Sequence, residues 1–191
     1  MEIDRKLNLV IGIDQGKWTI YVHSMPISAE IFKRYYKVIG RTFSEIFKTG
    51  LDFTAGPRVA AMLLEDVARA LNMWDGTDGV QNGLLNEIRR LTNVVLPDQG
   101  GAWTVLPMEE VVRRKLISDE DLSEVDNAIV FFIVSSAMHR RPTLKAMMEG
   151  AALLWGGQIT QSNVTEFAAG LQTLMPAENT GAKATRLSIP S

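Results

Sequence analysis

Few residues in this chain have the type and spacing to do chemistry. There are two histidines, His23 and His139, and no cysteine. Neither histidine has ligand-type residues at metal-binding spacing, and a zinc site needs three or four clustered ligands. The lack of cysteine removes disulfides, thiolate ligands and thiol nucleophiles together. His139 precedes Arg140 and Arg141 at an expected helix end, where cations favour the dipole and an anion could be held. Asp119, Asp121 and Ser123 suggest a calcium loop, but that loop needs Gly at its sixth position and Glu at its twelfth. Here those positions are Glu124 and Val130, so the pattern fails. The glycines around Gly76, Gly79 and Gly83 make no GxGxxG, and neither GK[ST] nor GxSxG occurs. The expectation is a non-enzyme with no catalytic, cofactor or metal residues.

The surrounding elements are easier to read. Leu7, Leu9 and Ile11 alternate with polar or small residues, and so do Trp18, Ile20 and Val22. Between them, Asp14-Gln15-Gly16-Lys17 is a tight-turn sequence. This predicts a β-hairpin over about residues 7–24. A near-copy follows near residues 94–105: Val94-Val95-Leu96, then Asp98-Gln99-Gly100-Gly101, then Trp103-Thr104-Val105. The echo reads as two hairpins with one turn device rather than as a duplicated domain. They either pair with each other or flank the helices separately. Trp18 and Trp103 would each pin a hairpin to a helix, or else offer an exposed anchor to a partner.

Helical spacing dominates the rest. Ser28 can cap a helix that carries Ile31, Tyr35, Val38, Ile39, Phe43, Ile46 and Phe47 on one stripe. Gly56-Pro57 would open the next helix, and a short one is expected around Asn82–Asn93. Pro107 would lead another, with Glu109 and Glu110 at its start. Ser118 followed by Asp119, Glu120 and Asp121 marks a further helix start. That helix is apolar on all sides from Ile129 to Val134, so it belongs in a core or an interface. A helix over Leu144–Trp155, stopped by Gly156-Gly157, and a last one at about Gln161–Leu174 complete the pattern. Asn163-Val164-Thr165 also fits a glycosylation triplet.

The 191 residues are 46% hydrophobic and 22% charged, with net charge −2 and a pI near 5.7. This is globular composition without the basic footprint of nucleic-acid binding. The start of the chain lacks the apolar run of a signal peptide, and the stretch Ala128–Val134 is far short of the roughly 20 residues that span a bilayer. The expected fold is mainly α (α+β): a bundle-like helical domain over residues 1–175 with an N-terminal hairpin and a second short one. A flexible tail is expected over 176–191.

Three features together resemble the tail assembly chaperones of long-tailed, siphovirus-like bacteriophages. They are an N-terminal hairpin before a helical body, the run from Glu124 to Phe132, and Trp103-Thr104-Val105-Leu106-Pro107 ahead of it. The resemblance is one of order and texture over about residues 7–175. It implies a non-catalytic protein in the host bacterial cytoplasm that binds the tape-measure protein and recruits tail-tube subunits, with possible self-association. It implies no cofactor, nucleic acid or membrane. The alternative is a tail-completion or adaptor protein retained in the particle. A client-holding protein needs exposed apolar surface. Phe131, Phe132, Met147, Met148 and Trp155 are the candidate contacts, because two such apolar helices are hard to enclose in a small fold.

Overall fold

The computed structural model describes residues 7–48, 50–98, 100–139, 145, 149 and 157–171. Strands β1 (Asn8–Asp14) and β2 (Thr19–Ser24) form the first hairpin, and β3 (Thr92–Pro97) and β4 (Trp103–Pro107) form the second. Asp14 Oδ1 accepts the Gly16 N–H at 2.7 Å. Asp98 Oδ1 accepts those of Gly100 and Ala102 at 2.8 and 3.0 Å. The shared aspartate therefore does the same work in both turns. The left-handed position shifts by one residue, to Gly16 (φ 78°) in the first and Gly101 (φ 77°) in the second.

The two hairpins are not separate. Strand β2 pairs with β3, Tyr21 opposite Val95 and His23 opposite Asn93, and β1 pairs with a fifth strand, β5 (Gly157–Thr160). The result is an antiparallel five-stranded sheet in the order β4-β3-β2-β1-β5. This corrects the expected bundle with accessory hairpins: the fold is α+β around one sheet. Pairing satisfies strand edges that two isolated hairpins would leave open, and it aligns Leu9, Ile11, Ile13, Ile20, Val22 and Val94 in one core.

The described α-helices include α1 (Ala29–Lys48), α2 (Asp52–Ala70), α3 (Leu85–Arg90), α4 (Met108–Arg113), α5 (Asp119–Met138) and α6 (Val164–Gly170). Ser28 Oγ accepts the Ile31 N–H at 3.3 Å, as a cap of α1 should. Helix α2 begins before Gly56-Pro57, so Pro57 lies inside it. Gly56 has a different use from the one expected. A Cβ there would lie 2.8 Å from both Ile46 Cγ2 and Phe131 Cε2, so its absence lets α2 close on α1 and α5. The helix expected from Asn82 is instead a π-turn, Val80–Leu84, running into α3, and β3 has already begun at Thr92. The Thr92 hydroxyl donates to the Ile88 carbonyl at 2.8 Å, which ends the helix.

Helix α5 packs against α2, α1 and β1 and is buried continuously from Asn127 to Ser135. Ser118 Oγ accepts the Asp121 N–H at 3.1 Å, which fixes the expected start. On the far side of the sheet, α6 lays Phe167 against Tyr21 with ring centres 5.4 Å apart, and Asn163 caps α6 in a reciprocal box with Glu166. None of the helices among the described residues is long and apolar enough to cross a membrane.

Candidate binding cleft

Two of the contacts expected from sequence, Phe131 and Phe132, do not lie on the surface. Both are 0% exposed, enclosed between the neighbouring helices and the sheet, so they pack in the core. Met147, Met148, Trp155 and the expected tail at 176–191 lie outside the described residues. Trp18 is 47% exposed. Trp103 packs on Tyr21, with ring centres 5.7 Å apart.

A cleft of about 360 Å³ lies between α2, α3 and α5. Helix α2 contributes Ala61, Met62 and Glu65; α3 contributes Leu85, Ile88 and Arg89; α5 contributes Leu122, Asp126, Asn127 and Val130 along one face. Met62 stands at the lip, more than half exposed, so the cleft is open along one side.

The walls are fixed by local devices. Asn127 Oδ1 accepts the Ala61 N–H at 2.9 Å while its Nδ2 donates to the Ser123 carbonyl at 2.9 Å, joining α5 to α2. Helix α2 ends with Asn72 in the left-handed region (φ 54°). The Asn72 N–H bonds the Arg69 carbonyl and the Met73 N–H bonds the Ala68 carbonyl, the Schellman arrangement. The chain then turns back and places Trp74 in the cleft, buried. Arg69 lies 5.0 Å from the Trp74 ring centre and bonds Glu65 at 2.7 Å. The Gln81 N–H donates to the Trp74 carbonyl at 3.1 Å.

One ionisable group stands apart. The Asp126 carboxylate accepts no hydrogen bond and joins no salt bridge among the described residues. Burial pushes its pKa above the ordinary aspartate range, and the positive charge of Arg89 pulls it back by less. The signal for this residue was present in the sequence: Leu122, Asp126 and Val130 are four apart, which places an acid within an apolar ridge of one helix. Arg89 and Trp74 had no such signal, because only the loop after α2 brings Trp74 here.

A second polar feature lies on the opposite face of the sheet. His23 is fully buried, and its Nε2–H donates to the Ser162 carbonyl at 3.0 Å. Asn8 Nδ2 donates to the same carbonyl at 2.9 Å. His23 Nδ1 is buried without a partner among the described residues, and burial lowers the His23 pKa. The described residues include no group of three or more His, Cys, Asp or Glu placed to hold a metal ion. Comparison with protein-family models, with curated proteins and with solved structures returned no match.

Proposed function

We propose that this chain is a non-catalytic binding protein acting as a tail assembly chaperone in the bacterial cytoplasm, where it holds segments of the tape-measure protein and recruits tail-tube subunits. The observation that carries the reading is the cleft between α2, α3 and α5. It is walled by Met62, Trp74, Leu85, Leu122 and Val130 and rimmed by charge, the make-up of a groove that takes an apolar chain segment. The sequence resemblance over residues 103–107 and 124–132 supplies the biological context.

Co-expression with the tape-measure protein of the same genome tests it. The client should become soluble and co-purify with several copies of the chain, and Met62→Glu at the exposed lip should abolish this without unfolding the protein. An insoluble client beside a discrete ring or monomer of this chain would overturn the reading and favour an adaptor, to be sought in purified particles.

A further inference from the structure

The cleft carries unbalanced charge. Glu65 is neutralised by Arg69 at 2.7 Å. Asp119 sits in the first turn of α5, where the helix dipole already favours an acid. Asp126 has only the charge of Arg89, beyond salt-bridge distance, to offset it: its carboxylate is half-buried and without a hydrogen-bond or salt-bridge partner among the described residues. A desolvated, unpaired carboxylate costs free energy, and a cation arriving with a ligand would remove that cost. Arg89 lines the same cleft, but it does not pair with Asp126 within salt-bridge distance.

The spacing of the ridge defines what could bring the cation. Leu122, Asp126 and Val130 follow at four-residue steps, roughly 6 Å each along the axis of α5. A helix laid along α5 repeats at the same pitch. Met62, more than half exposed at the lip, leaves the cleft open to the surface on that side.

We infer that the cleft recognises a helical polypeptide segment with the pattern apolar–basic–apolar at four-residue spacing, its lysine or arginine facing Asp126 between apolar contacts at Leu122 and Val130. The inference rests on the binding-protein reading and adds the charge of the client. An acidic residue at the central position meets the like charge of Asp126 and is rejected.

The test uses the full chain and a displayed library of 18-residue peptides, each with a helical apolar stripe and one randomised central stripe position. The wild type should enrich Lys and Arg at that position over Glu by roughly tenfold or more, the size expected for a charge-assisted contact. Asp126→Asn should keep apolar-stripe binders and lose the preference, and Asp126→Lys should invert it toward Asp and Glu. Circular dichroism of the variants checks that they fold. Enrichment of apolar stripes with no charge preference, or a preference that survives Asp126→Asn, would overturn the inference and leave the binding reading standing. Selection unchanged by Met62→Glu would remove the cleft as a site and both readings with it.

Discussion

A methyl group placed on Gly83 would lie 1.8 Å from the hydroxyl oxygen of Tyr35, so the π-turn and helix α1 meet with no room for a side chain. Tyr35 is buried within α1 at a point where the helix departs from regular geometry (φ −110°, ψ 15°). Its hydroxyl donates to the Asp78 carbonyl at 3.1 Å. The contact ties α1 to the loop that carries Trp74 into the cleft.

Gly83→Ala should therefore destabilise the protein by about 3 kcal/mol or more, the upper end for an overpacked site. Tyr35→Phe alone loses one hydrogen bond, about 1 kcal/mol. The double variant should be less destabilised than the sum, because the clashing oxygen is gone. Denaturant unfolding of the four proteins measures the coupling; strict additivity would show that the two residues do not meet.

Lys115 ends helix α4 in the left-handed region (φ 52°). Its N–H bonds the Val112 carbonyl, and that of Leu116 bonds the Val111 carbonyl. This is the position where glycine is preferred. Lys115 is exposed, so its side chain contributes little to offset the strain. Lys115→Gly should stabilise by about 0.5–1 kcal/mol, and Lys115→Ala should not. Thermal melts of the two variants decide it, with a rise of roughly 1–4 °C expected for glycine alone.

Asn127 is 6% exposed and bridges the two helices that wall the cleft. Asn127→Ala removes both bonds, a loss of about 2 kcal/mol at roughly 1 kcal/mol each. Hydrogen exchange should show the Ala61 amide losing protection before the sheet does. Unchanged protection at Ala61 would mean that the bridge contributes nothing.

What the sequence made legible was local. Ser118 and Asp121 and the turn aspartates Asp14 and Asp98 act within a few residues of their own backbone, so their spacing carries the information. The joining of the hairpins did not show, because Tyr21 and Val95 are distant in the chain and nothing in either strand says which edge it seeks. Strand β5 has Ile159 as its one large apolar residue, and Gly156-Gly157 reads locally as a helix stop. Phe131 and Phe132 were misplaced for a related reason. A helix apolar on all sides looks too greasy to enclose until the sheet supplies a further wall and Gly56 supplies the gap that Phe131 fills.

His23 and Asp126 should give stability opposite slopes with pH. Burial lowers the His23 pKa in the folded protein, whereas the unfolded chain takes its proton near the ordinary value of about 6.5. The unfolded state then binds more protons below that pH, so stability falls as pH drops from about 6.5 toward the lowered value. Asp126 runs the other way. Burial raises its folded pKa, so its contribution is fully present below the unfolded value of about 3.9 and is lost as pH rises through the folded one. Thermal melts between pH 3.5 and pH 8, on the order of one titration range either side, should separate the two groups. His23→Gln can still donate to the Ser162 carbonyl, and it should flatten the loss below pH 6.5, the ordinary histidine value of about 6.5. Asp126→Asn should raise the melting temperature at neutral pH, with the gain vanishing at the acid end. A gain from Asp126→Asn that persists at the lowest pH would mean that the carboxylate's charge is not what destabilises the cleft.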